Sequence, residues 1–241
     1  MKLKLFILAA IAFLVIEVQA HAGVILISHV SAAASAGDHT TVTTGPIDTT
    51  GADFIAVCVG FAFNDTISSV TDSEVNSVSA RTAYLSTNDA AAQLFFIASP
   101  STSATHTFTV NCTASCFPSA DVAVFRGSKL SSPYESENGA HNDSSATLQP
   151  GSISPAENNE LLISCLGFAG ATATASIDSG FSISDQQDWA NAVNIGSALA
   201  YLNETTAASK NPQWSLTASQ STAASIATFK SASQQAAPRV F

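Results

Sequence analysis

The chain has 241 residues, 46% of them hydrophobic and only 11% charged, where about 25% is usual. Eight Lys and Arg stand against 18 Asp and Glu, a formal charge of −10. Too few cations exclude a nucleic-acid binder working through a basic face. The apolar content excludes a disordered chain, and four cysteines are too few for a disulfide-stapled mini-protein.

The first element is read as an export signal over residues 1–22. Lys2 and Lys4 precede an apolar run, Leu5–Ile16, and Ala20 and Ala22 supply small residues for cleavage on either side of His21. The run is about twelve residues, short of the roughly twenty a spanning helix needs. Removing Lys2, Lys4 and Glu17 leaves 6 cations against 17 acids, or −11. No later stretch approaches a membrane span, so a secreted or extracytoplasmic chain is expected.

Beyond the signal, Ser and Thr make up about a quarter of the chain and compete with helical backbone bonds. Short β-type runs bounded by Gly, Pro, Asn, Asp and Ser predict strands. In the first part they are Val24–Val30, Thr40–Thr44, Phe54–Phe63, Gln93–Ala98, His106–Asn111 and Asp121–Arg126. In the second they are Leu161–Phe168, Phe181–Asp185, Ser197–Leu202, Gln213–Thr217 and Ala224–Lys230. Phe54–Phe63 is apolar on both faces. One face carries Ile55, Val57, Val59 and Phe61, and the smaller one Ala56, Cys58, Gly60 and Ala62. That predicts a central strand covered on both sides, or one whose small face lies under a loop.

An internal repeat organises these strands. Asp53-Phe-Ile-Ala-Val-Cys-Val-Gly-Phe-Ala62 matches Glu160-Leu-Leu-Ile-Ser-Cys-Leu-Gly-Phe-Ala169, with Cys58 opposite Cys165. Thr71-Asp72-Ser73 aligns with Ile177-Asp178-Ser179, and Phe108 with Trp214. Val122–Arg126 aligns with Ile226–Lys230. The domain reading is one β-sandwich over 23–231, with halves 23–127 and 128–231 and a tail at 232–241. The fold expected is an all-β antiparallel sandwich of jelly-roll type built from two similar halves. Two tandem immunoglobulin-like sandwiches are the alternative.

The stretches Asp53–Val59, Asp72-Ser73…Asn76, Leu94–Pro100, His106–Thr109 and Ala123–Gly127 carry a resemblance. They resemble a recurrent, uncharacterised secreted β-sandwich module of bacterial surface and extracellular proteins. That pattern has Gly before the Asn of the turn and an aromatic soon after, where this chain has Val75 and Val78. The resemblance implies a non-catalytic surface or binding module.

Four constellations could carry chemistry. The Asp72-Ser73 and Asp178-Ser179-Gly180 turns are a pair that, if brought together, would share a proton as aspartic proteases do. Ordinary turn bonding is the competing role. His21, if exposed by cleavage after Ala20, would chelate copper through its amine and imidazole with His106 or His141, as in a copper-dependent polysaccharide oxygenase. The competing role for these histidines is a solvent-facing strand or loop position. Cys112 and Cys116 flank a short turn and are predicted to bridge. Cys58 and Cys165 are either buried thiols or, if the halves meet strand against strand, bonded to each other. Their spacing argues against zinc. The aromatic candidates for glycan contact are Trp189, in Asp185-Gln-Gln-Asp-Trp189, and Tyr134, in Pro133-Tyr-Glu. Capping the sandwich is the competing role for each.

Asn64, Asn111, Asn142 and Asn203 begin N-x-S/T triplets, a number that chance accounts for. No G-x-S-x-G, H-E-x-x-H, P-loop or G-x-G-x-x-G occurs, which points away from the common hydrolase, zinc-protease and nucleotide-binding classes. The function expected is surface or glycan binding and adhesion, with no cofactor and no nucleic-acid partner. The alternative is a structural envelope protein self-associating through sheet edges. The copper oxygenase stands below both.

Overall fold

The computed structural model describes residues 23–232, and every regular element in them is a β-strand. In the first half these are β1 (Ile25–Ala33), β2 (Thr41–Thr43), β3 (Phe54–Ala62), β4 (Ile67–Asp72), β5 (Ser79–Leu85), β6 (Ala90–Ala98), β7 (Phe108–Cys112) and β8 (Ser119–Arg126). In the second they are β9 (Tyr134–Leu148), β10 (Glu160–Ala169), β11 (Ala175–Ile177), β12 (Ser182–Gln187), β13 (Gly196–Glu204) and β14 (Trp214–Phe229). All ladders are antiparallel.

The protein is an all-β sandwich of two similar halves. In the first half a five-stranded sheet runs β1-β8-β3-β6-β5, and β2-β7-β4 forms a separate outer layer. In the second half β9-β14-β10-β13-β12 has the same order. There the outer layer is made by β11 and the early residues of β14, with the end of β9 alongside. Phe108 on β7 and Trp214 on β14 therefore occupy matching outer positions, both buried. Trp214 is the larger and polar. Its Nε1–H donates to Ser164 Oγ at 2.9 Å, and the Ser164 hydroxyl donates to the Ser225 carbonyl.

The two five-stranded sheets face each other and share one core, with Phe54, Cys58 and Leu94 from one half against Leu161, Cys165 and Phe229 from the other. The small face of β3 meets the small face of β10. Cys58 and Cys165 are disulfide-bonded there, Cα to Cα 5.2 Å, about half the usual spacing of stacked sheets. Gly60 and Gly167 permit that approach. A Cβ on Gly60 would lie 2.6 Å from the Gly196 carbonyl oxygen, and one on Gly167 2.2 Å from that of Ala91. The larger faces of β3 and β10 pack instead on the outer layers.

At the opposite end of β3 and β10 the shared core is aromatic. Phe54 lies 4.6 Å from Phe229, 5.7 Å from Phe96 and 6.2 Å from Phe125, ring centre to ring centre. The interface thus has a narrow end of Cys, Gly and Ala and a wide end of Phe and Tyr. Along its two sides, edge strands of one half meet those of the other. His29 Nδ1 pairs with Asp185 Oδ2 at 2.7 Å and Gln187 donates to Ser31 Oγ. On the other side Glu137 accepts from Thr82, and Asp143 from Thr87.

Four strands have no counterpart among the sequence expectations: β4, β5, β9 and β11. All are polar or short because one face or one edge is in water. Gln213–Thr217 and Ala224–Lys230, expected as two strands, are the ends of one 16-residue strand, β14, which passes from the outer layer into the central sheet.

Candidate functional site

The narrow end carries a cleft of about 210 Å³ between the halves. Its floor is Ala62 and Ile195, both buried. Three loops form its walls, and Asn64 of the β3–β4 loop adds to its rim. The β5–β6 turn presents Asp89, and is pinned to the second half by Ser86 Oγ and Ser221 Oγ, 2.6 Å apart. The loop after β7 presents Ser115 and Phe117. It is closed by a Cys112–Cys116 disulfide, and the Phe117 ring lies 4.6 Å from that of His39.

The third wall is the β12–β13 connection, Trp189 to Ile195. Asn194 holds it, its amide nitrogen donating to the carbonyls of Asp188 at 2.7 Å and Ile195 at 3.1 Å. The Ile195 N–H donates to the Phe117 carbonyl at 2.8 Å, and Ser119 Oγ donates to the Ile195 carbonyl at 2.5 Å. Two loops from different halves are thereby tied edge to edge. Trp189, half-buried, packs against Ala62, Ala90, Ala169 and Ile195. Its ring also lines the cleft. Asn64, Asp89 and Asn191 are exposed around it, and among the described residues no internal hydrogen bond engages their side chains. An aromatic wall beside free amides and a free carboxylate is the composition that sugar contact requires.

Tyr134, the other aromatic candidate, lies at the wide end, at the far end of the strands from Trp189. Its ring packs on Phe96 and Phe229, and the Arg81 guanidinium sits 4.1 Å over its centre. The structure does not bring Trp189 and Tyr134 together, and Tyr134 caps the shared core.

His21 lies outside the described residues. His106, its suggested partner in copper binding, is fully buried. Its Nδ1 is 3.0 Å from Thr49 Oγ1 and its Nε2 3.2 Å from Asp72 Oδ2, and its ring stacks on Phe108. Nδ1 is engaged by Thr49, and Nε2 faces Asp72 without a well-formed hydrogen bond, both inside the first half, which corrects the expectation of a solvent-facing histidine. Asp72 in turn accepts from the Asn76 N–H and side-chain amide. The Asp72 and Asp178 turns end strands of opposite outer layers, β4 and β11, so the shared-proton geometry of a protease does not arise. Asp178 accepts from the Ser179 hydroxyl within its own turn and from the Gln213 N–H across to the start of β14, at 2.7 Å.

One buried acid went unnoticed in the sequence. Asp121 on β8 faces the second half beside Ser197 and Asp185, fully buried, without a well-formed hydrogen bond to either oxygen. Burial pushes its pKa up to about 7; the Ser197 hydroxyl opposes the shift and the Asp185 charge adds to it. Glu160, leading into β10, is also pushed up to about 7 by burial and by the neighbouring Glu135 carboxyl. Asp121 lies in register with Cys58, away from solvent, so it is a structural proton site.

Among the described residues no three His, Cys, Asp or Glu converge as a metal site, and no helix is long and apolar enough to cross a membrane. Comparisons of this chain with protein-family models, curated proteins and solved structures return no match.

Proposed function

We propose that the chain is a secreted, non-catalytic β-sandwich protein that binds glycan or a cell-surface polymer through the narrow-end cleft. The observation that carries this reading is the Trp189 ring on a cleft edged by Asn64, Asp89 and Asn191, whose polar groups have no partner within the described chain. Export is supported by the N-terminal residue pattern, and two disulfides are compatible with an oxidising compartment. The test is a pull-down on insoluble and soluble polysaccharides with the wild type and Trp189→Ala. Binding that Trp189→Ala removes while the fold persists supports the reading; binding unchanged in the variant takes the cleft out of it.

A second reading, self-association, is favoured by one feature of the first half. β4 ends its outer layer with an unpaired edge. Beside it runs a groove of about 290 Å³ with a mixed lining, apolar at Ile67, Val70, Val78 and Phe95 and polar at Ser68 and Gln93. In the second half the corresponding gap is closed by Gln186, whose amide bonds the Ala175 N–H and the Ala173 carbonyl. A light-scattering concentration series decides it: a mass rising with concentration supports association, and a constant monomer mass removes it.

A further inference from the structure

We infer that the cleft selects an amine-bearing sugar, a glucosamine-type unit with a free ammonium group, over neutral or anionic glycans. This rests on the glycan reading and names the class of its ligand. The cavity and its tryptophan supply the site; the distribution of charge supplies the class.

Among the described residues, Asp89 is the only ionisable side chain lining the cleft. It is exposed, and among the described residues it has no ion-pair or hydrogen-bond partner. The surrounding loops repeat that sign. Asp38, Asp65, Asp143 and Asp188 lie at the same end of the strands, with no Lys or Arg beside them. Two of these acids are held ionised. Hydrogen bonds from Thr40 keep Asp38 below the usual carboxylate range, and those from Thr87 do the same for Asp143.

Every Lys and Arg among the described residues lies toward the wide end. Arg126 ends β8 there, and Lys129 and Lys230 follow the ends of β8 and β14. Arg81 covers Tyr134, and Lys210 pairs with Glu204 at the far end of β13. The cleft rim therefore carries acids and no cation, and its local field concentrates cations and repels uronate or sulfate chains. Trp189 adds two contacts that one aminosugar satisfies together. Its face takes the apolar C–H side of a pyranose, and its quadrupole attracts an adjacent ammonium. Asn64 and Asn191 remain for the hydroxyls.

The experiment is calorimetric titration near neutral pH with four probes: a glucosamine pentamer, its N-acetylated counterpart, a galacturonate pentamer and spermine. The glucosamine pentamer is expected to bind at least about tenfold more tightly than the acetylated one. Raising salt from about 50 to about 300 mM should weaken it. Asp89→Asn should abolish that preference while leaving residual sugar binding, and Trp189→Ala should remove both. Equal binding of the acetylated pentamer, or tighter binding of galacturonate, overturns the aminosugar class but leaves glycan binding standing. Spermine bound as tightly as the glucosamine pentamer shows a site for amines alone and also overturns it. No binding of any sugar overturns both readings.

Discussion

The two ends of the interface between the halves are built on opposite terms. At the wide end Phe54, Phe96, Phe125 and Phe229 fill the gap between sheets with large rings, and the positive side chains gather. At the narrow end Cys58, Gly60, Cys165 and Gly167 draw the backbones together, and the acids there stand without Lys or Arg beside them. The aromatic end supplies apolar burial. The small-residue end fixes how closely the sheets approach, and so where loops from both halves meet. The cleft is a consequence of that second role: Ile195 and Phe117 are joined by a backbone hydrogen bond only because β13 comes this near to the first half.

The comparison can be broken most sharply at the wide end. Phe54→Ala should cost about 4 kcal/mol in urea unfolding, the range for an aromatic removed from a packed core. The same change should leave ligand binding at the cleft intact. Loss of binding without loss of stability would contradict the division of roles.

Asp121 tests the narrow end through pH. Its folded pKa of about 7 lies above its ordinary 3.8, so the folded state holds a proton that the unfolded chain has released. Stability from this group is fully present below about pH 4. It falls as pH rises and is lost above about pH 7, a change of up to about 4 kcal/mol. Asp121→Asn should flatten most of that slope, leaving the part due to Glu160. A variant whose stability still falls as steeply as the wild type across this window would refute the assignment.

Gly167→Ala is next. Its methyl would meet the Ala91 carbonyl oxygen at 2.2 Å, so the sheets must part. A loss of about 3 kcal/mol is expected, together with weakened cleft binding, because the loops move with the strands. An unchanged melting temperature would show that the approach of the sheets is not limiting.

The smallest effect is predicted outside the interface. Val75 is 92% exposed with φ 57°, a left-handed conformation that costs a β-branched residue energy and glycine none. Val75→Gly should stabilise by about 1 kcal/mol in thermal unfolding and leave the pH profile alone.

Much of the frame was legible in the sequence. The Cys-x-Gly-Phe-Ala repeat marked β3 and β10, because a strand covered on both faces has to be apolar on both. The small face of Phe54–Phe63 indicated a strand covered on both sides or lying under a loop, and did not decide between them. The polar edge strands escaped notice because their backbone partners lie far along the chain; β9 reads Tyr-Glu-Ser-Glu-Asn-Gly from its first residue. Trp189 stood out as an aromatic in a polar run. Asn64, Asp89 and Phe117 did not, since each is unexceptional until loops from two halves meet. Tyr134 misled for the converse reason: its polar flanks belong to an edge strand, and its ring turns inward under Arg81. Asp121 was hidden within an apolar strand, and only the opposing Ser197 and Asp185 reveal its situation.

The central claim is that the narrow-end cleft binds ligand through Trp189, and tryptophan emission tests it most directly. Trp214 is buried in the outer layer of the second half and Trp189 lines the cleft, so bound sugar has one indole within reach. Titration with the glucosamine pentamer should shift or quench the wild-type emission to saturation and leave Trp189→Phe unchanged. A saturable change that persists in Trp189→Phe would place the ligand elsewhere and contradict the account.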